Sequence, residues 1–390
     1  MKKLILVCSV ALSIDANAQW DQETFYKNSY IASIHFPSPD FGYAVGVGDL
    51  SYGGLILKRT NNYWDTLTCK TIASLLSVYF TDSLNGFIVG GNCDSEILKT
   101  TDGGISWTKY AQHYYILNSV FFPTDKIGFA VGYHGTIIKT NNAGDTWEEQ
   151  PSATINRLCS VHFPDENIGY VTGWDGTILK TIDGGSTWTT QTSGTSEDLF
   201  SVHFTDVEIG YALGTHGTIL KTINGGHDWS NLSSGTTENL FAINFIDENT
   251  AYAVGNAILK TTDAGMSWNI LRRPYYETFS SIYFTNAEIG YLGGRQVYKT
   301  NYGGNYIEEK IFSNAITIYP NPFSSSTTIS FKEEQKNVTI RIVDLLGQEI
   351  KTTNFTGKNI TIEKGGMSKG VYFVQVSDGV MNDVGKLVVE

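Results

Sequence analysis

SVHFPDENIGYVTGWDGTILKTIDGGSTW, from Ser160 to Trp188, is answered a short spacer later by SVHFTDVEIGYALGTHGTILKTINGGHDW, from Ser201 to Trp229. More degenerate copies flank these two. The aromatic that ends the first segment recurs as Phe36, Phe80, Phe122, Phe163, Phe204, Phe245 and Phe284, at spacings of 44, 42, 41, 41, 41 and 39. The closing aromatic recurs as Trp64, Trp107, Trp147, Trp188, Trp229, Trp268 and Tyr306, so two independent markers count seven copies. Each copy holds four strand-like pieces: S-V-x-F, G-Y-x-x-G, T-I-L-K-T, and a piece that starts at the tryptophan. Turns of Gly, Asn and Asp separate them, and none shows helical periodicity. A period near 40 residues with four strands per unit reads as a propeller blade. One blade cannot bury its two faces alone. Stacking blades radially buries them, with the repeated Phe, Tyr and Trp as the interblade core. The expected fold is all-β, a seven-bladed β-propeller over residues 19–310.

The ring also has a visible closing device. Trp20 precedes Phe36 by the same interval that separates Trp188 from Phe204 and Trp229 from Phe245. Trp20-Asp21-Gln22-Glu23 therefore reads as a fourth strand with no blade before it. It is expected to pair with the last, degenerate blade.

The chain has 390 residues, with 41% apolar and 17% charged residues and 40 glycines. This is neither a disordered nor a membrane composition. The net charge is −12, and residues 19–310 hold 17 basic and 30 acidic residues. Such a surface repels a phosphate backbone, which argues against nucleic acid as a partner. Lys2 and Lys3, the apolar stretch Leu4 to Leu12, and Ala16-Asn17-Ala18 read as a secretory signal peptide over residues 1–18. No segment is long and apolar enough to be a transmembrane span. Beyond residue 18 lie three cysteines. Cys69 and Cys93 fall in loops expected on one face of the second blade and are a disulfide candidate, while Cys159 is expected to be a buried thiol.

The turn between third and fourth strands reads TTDGGISW (Thr100 to Trp107), TIDGGSTW (Thr181 to Trp188) and TTDAGMSW (Thr261 to Trp268). These segments resemble the Asp box of bacterial neuraminidase repeats. Their aspartates, Asp102, Asp183 and Asp263, suit a structural role: the carboxylate accepts N–H groups across the turn, Gly185 supplies a positive φ, and Trp188 packs beneath. The whole unit resembles the photosystem II assembly-factor-like repeat family, over about residues 30–310. The plant and cyanobacterial members carry an arginine-rich patch. Here Arg59, Arg157, Arg272, Arg273 and Arg295 share no repeat position.

After Lys310 the repeat stops. Beyond a linker (311–315), ITIYPNPF (Ile316 to Phe323), VTIRIVDLLGQEI (Val338 to Ile350) and GVYFVQVSDGVMNDVGKLVVE (Gly370 to Glu390) alternate apolar and polar residues. Residues 316–390 are expected to form a small antiparallel β-sandwich. Tyr319-Pro320-Asn321-Pro322-Phe323, Asp344-Leu345-Leu346-Gly347-Gln348 and Gly370-Val371-Tyr372-Phe373 resemble, in order, the type A C-terminal sorting domain of type IX secretion cargo. The resemblance implies passage through the periplasm, the type IX secretion machinery as partner, and a destination in the medium or on the outer cell surface.

In a propeller, the loops between blades and those joining second to third strands share one face, where ligand sites gather. That face is expected to carry Tyr114, Tyr115, Tyr133, His134, Arg157, Trp174, Asp175, His216, Tyr275, Tyr276 and Arg295, a surface suited to sugars or extended peptides. His134, Asp175 and His216 recur at one repeat position. They could be metal ligands, but a residue tolerated before a turn glycine is the better reading. No metal or cofactor is called for. Sialidase chemistry would need an arginine cluster that is missing, and G-x-S-x-G, P-loop and H-E-x-x-H motifs are absent. The reading is a secreted, non-catalytic binding propeller whose ligand is an unknown protein or glycan. One alternative is a polysaccharide-active glycoside hydrolase using Asp175, Glu197, Asp198 or Glu238. Another is an assembly factor for a second exported protein.

Overall fold

The protein is described from a computed structural model, which covers residues 20–24, 29–48, 53–60, 63–67, 71, 73–92, 95–110, 115–272, 277–301, 316–344, 349–377 and 382–390. Tyr114, Tyr275, Tyr276, Gly347, Cys69, Cys93, the signal peptide and the linker lie outside the described residues. The chain divides into two compact units, Gln19–Asn305 and one within Tyr306–Glu390.

The first unit has seven four-stranded antiparallel sheets, the expected blades. Blade 4 is representative. From the axis outward it contains Leu158–His162, Gly169–Gly173, Ile178–Thr181 and Thr189–Gln191. The second strand is buried along its whole length, because both of its faces meet a neighbouring blade. This is why G-Y-V-T-G shows no alternation, whereas the outer strand is mostly exposed.

One aromatic stack, repeated around the ring, joins blade to blade. The Tyr or Phe of each second strand lies on the inner-strand Phe of the next blade: Tyr43 on Phe80 at 3.7 Å, Phe129 on Phe163 at 4.3 Å, Tyr170 on Phe204 at 3.7 Å. The closing Trp meets that Phe edge-on, as Trp188 meets Phe163 at 5.9 Å. In every blade but the sixth, which has Ala251, glycine precedes the Tyr or Phe for lack of space. A Cβ on Gly169 would sit 2.4 Å from the Phe163 ring of its own blade. Across the same seam, Tyr170 Oη donates to Gly225 O at 2.7 Å and Lys180 Nζ donates there at 2.5 Å.

The N-terminal segment closes the ring as the spacing predicts. Asp21–Gln22 pairs antiparallel with Val297–Thr300 and forms the outer strand of blade 7. Trp20 is 4% exposed and meets Phe284 edge-on at 5.9 Å, the contact its counterparts make. Glu23 then bridges to blade 1: its carboxylate accepts from Trp64 Nε1 at 2.8 Å and lies 3.5 Å from Arg59 and 3.7 Å from Lys299.

The second unit is one five-stranded antiparallel sheet: Ile316–Tyr319, Ser326–Val343, Glu349–Glu363, Gly370–Ser377 and Asn382–Val389. The long second strand breaks register between Ser330 and Val338. Its first half pairs with Ile316–Tyr319 and its second half with Gly370–Ser377, so the sheet wraps a core of Phe323, Ile329, Phe331, Ile340 and Val374. A parallel bridge between Phe323 and Val389 nearly closes it. The Tyr319-Pro320-Asn321-Pro322 motif forms a turn held against the last strand. Asn321 donates to Lys386 O at 2.7 Å and accepts from Val388 N at 2.8 Å, while Tyr319 is 82% exposed.

Candidate functional site

Backbone hydrogen bonds sort the propeller loops into two faces. On one, each second-to-third turn is tied to the interblade loop that starts the same blade or the next: Trp174 N donates to Arg157 O and Gly176 N to Glu197 O, each at 2.9 Å. On the other, each Asp-box turn is tied to its blade's first-to-second loop, as Gly184 N is to Asn167 O at 2.9 Å.

The Asp-box face is structural. Asp183 accepts from Thr181 Oγ1 at 2.8 Å, Thr187 N at 2.9 Å and Thr187 Oγ1 at 2.7 Å. Asp102 and Asp263 repeat this set. The Ser or Thr hydroxyl bond, followed by the backbone N–H, pulls all three carboxyls down to about 2. Asn142 and Asn224 fill the same place in blades 3 and 5 and make the backbone bond through the amide oxygen. Charge is therefore dispensable at this position. Gly185 has φ +78° and Trp188 is 5% exposed, as the turn requires.

The opposite face gathers most of the described candidates on blades 3 to 5. The Arg157 guanidinium lies 4.3 Å from the Tyr133 ring and 5.4 Å from the Trp174 ring, and donates to Asn118 Oδ1 at 2.9 Å. A cation is thus clamped between two aromatics from successive blades. Tyr115 and His134 pack at 4.4 Å beside this cluster. Trp174 is 40% and Ile155 83% exposed. Farther round, His216 Nδ1 and Thr215 Oγ1 bond Glu197, at 2.7 and 2.5 Å, and hold its carboxyl below its usual range. Asp198 accepts from Asp175 N at 3.0 Å. Arg295 is exposed in the blade 7 turn, away from this cluster. Asn118 and Ile155 were not singled out from sequence. Each departs from the repeat at a loop or inner-strand position, and aligning the copies column by column would have marked them.

His134, Asp175 and His216 take φ values of 54°, 53° and 52°. Their shared position is a left-handed turn, which accounts for the residue types there. Cys159 is half-buried rather than fully buried, and burial pushes its thiol up to about 12, so it stays protonated.

The axis below this face is lined by a series of ring contacts that runs through six blades and is interrupted at Asn244 of blade 6. His35, Tyr79, Phe121, His162 and His203 follow one another at 4.6 to 5.1 Å, and Tyr283 returns to His35 at 5.6 Å. Burial lowers His35 and His203 to about 4, and lowers His162 further beside His203, so the imidazoles are neutral. Nδ1 of His35 and of His162 accepts a backbone N–H. Nε2 then carries the proton, which does not suit metal ligation.

The propeller and the C-terminal unit each have known relatives. Residues 56–151, 109–190 and 151–269 match the family described as photosynthesis system II assembly factor YCF48, and residues 317–390 match the secretion system C-terminal sorting domain. A structure of YCF48 bound to D1 peptide superposes with TM-score 0.61 at 19% identity, over 73% of this chain and 97% of that one. YCF48 from Cyanidioschyzon merolae gives 0.61 at 18%, over 73% and 99%. The WD40 propeller domain of Doa1 gives 0.58 at 11%, over 72% and 95%. An endo-acting ulvan lyase of Formosa agariphila is 40% identical over 72 residues, which are 18% of this chain and 14% of the lyase. The sorting domain makes the chain type IX cargo, delivered to the medium or the cell surface. The chain belongs to the photosynthesis system II assembly factor YCF48 repeat family, here a seven-bladed propeller joined to a secretion sorting domain.

Proposed function

We propose that the propeller is a non-catalytic recognition module, acting outside the cell or on its surface, that takes an extended polypeptide segment across blades 3 to 5. The observation that carries this reading is the Tyr133–Arg157–Trp174 clamp. It fixes a cation and leaves aromatic surface exposed beside Ile155, the mixture that anchors protein partners. A bound peptide in one solved relative supports the same use of the fold. Hydrolysis fits the carboxylates less well. Glu197 is held in its ionised form, whereas a general acid needs its proton retained near neutral pH. Action on a polysaccharide remains the second reading, with the ulvan lyase match in its favour.

The test is selection from a random peptide library on the exported chain. Enriched peptides should bind at least ~10-fold more weakly to Trp174→Ala and Arg157→Ala, with no glycosidic bond cleaved in polysaccharide assays. Cleavage that disappears when Asp175, Glu197, Asp198 or Glu238 is neutralised would make the protein an enzyme.

A further inference from the structure

Blades 4 and 5 carry a second feature that uses none of the clamp residues. In blade 4 an open hollow of about 670 Å³ lies between the Asp175 turn, the outer strand and the loops flanking the blade. Blade 5 has one of about 530 Å³ beside the His216 turn and its own outer strand. The repeat relates the two position by position: Thr190 to Asn231, Thr192 to Ser233 and Ser196 to Thr237, all exposed. The loop beneath each is pinned from within. Ser193 Oγ donates to Thr195 O at 3.2 Å, and Ser234 Oγ to Thr236 O at 3.1 Å. Thr195 and Thr236 Oγ1 then accept from Glu197 N and Glu238 N, each at 3.1 Å. The outward hydroxyls and amide are thus not consumed in holding the turn. Nor does the fold demand them, since blade 3 places Glu149, Pro151 and Ile155 at the corresponding positions.

We propose that these two hollows form a paired site for an uncharged glycan, with one segment of the sugar chain in each. Hydroxyl and amide groups both donate and accept, which matches sugar hydroxyls. The groups lining both hollows are mainly polar, so a peptide side chain finds little apolar floor. Asp175 at one rim adds a carboxylate acceptor. With Glu197 near the other rim, and an acidic propeller around both, it disfavours uronate or sulfated chains. A single shallow hollow binds weakly. Two at the same repeat position offer equivalent groups to a repeating polymer, and linkage raises the effective concentration at the second.

The test is calorimetry of the mature chain against length ladders of neutral cello-, manno- and xylo-oligosaccharides, with oligogalacturonate as the charged control. The shortest neutral members should bind weakly, and those long enough to span both hollows at least ~10-fold more tightly. Removing one set, Thr190→Ala/Thr192→Ala/Ser196→Ala or Asn231→Ala/Ser233→Ala/Thr237→Ala, should abolish the length-dependent gain. Removing both should abolish binding, with Tm unchanged because the residues are exposed. The proposal is overturned if no neutral oligosaccharide binds, if oligogalacturonate binds as well, or if the variants bind like the parent. Failure here leaves the polypeptide reading standing, because Trp174 and Arg157 are untouched.

Discussion

Blade 4 contains two tryptophans that serve opposite ends of the same sheet. Trp188 closes the Asp-box turn, is almost wholly buried, and meets Phe163 as five other tryptophans meet their own phenylalanines. Trp174 stands in the turn on the opposite face, is 40% exposed, and meets Arg157 in a contact specific to that blade. What recurs in every blade builds the ring. What departs from the repeat, at a position the fold leaves open, is where a partner can be read.

The sharpest way to break this division is to remove a repeated tryptophan. Trp20→Ala should cost about 3–5 kcal/mol, the usual range for truncating a buried Trp, and should open the seam between blades 7 and 1. Thermal unfolding checks it, and a Tm equal to the parent's would mean that the N-terminal strand does not close the ring. Gly169→Ala comes next, at about 1–3 kcal/mol, because its methyl overlaps the Phe163 ring. A neutral result in denaturant titration would show that the ring has room to shift.

The Asp boxes give a smaller, pH-dependent effect. Their folded carboxyls sit at about 2, below the 3.8 of a free aspartate. The stabilisation is therefore complete above about pH 4 and disappears as pH falls toward 2. Asp102→Asn/Asp183→Asn/Asp263→Asn should flatten the acid limb of the stability curve while leaving the fold intact, since Asn142 and Asn224 already serve in blades 3 and 5. An unchanged acid limb would remove these bonds from the account. Smallest of all for stability is Trp174→Ala, within about 0.5 kcal/mol as for other exposed positions.

Much of the ring was legible because its determinants are local and repeated. The interval from Trp20 to Phe36 revealed the closing strand, and T-x-D-x-G-x-S/T-W revealed the turn. The faces of the loops followed from strand order alone. Pairings across blades were not legible. Arg157 and Trp174 could be nominated separately, but their contact depends on how far blade 4 turns against blade 3. The aromatic and imidazole series on the axis was hidden for the same reason. His35, Tyr79, Phe121, His162, His203 and Tyr283 fill the variable x of S-V-x-F, where the sequence shows variation and the contacts exist only once the ring is formed. In the C-terminal unit the motif residues were legible. The role of Asn321 as the turn's anchor on the last strand required the fold.

The most direct test measures ligand binding and unfolding together for Trp174→Ala and Trp188→Ala, using peptides selected on the parent chain. The account predicts that Trp174→Ala loses the peptide at an unchanged Tm, and that Trp188→Ala lowers Tm while the fraction still folded binds normally. Peptide binding that survives Trp174→Ala, or a Tm that falls with it, would contradict the separation of a structural face from a recognition face.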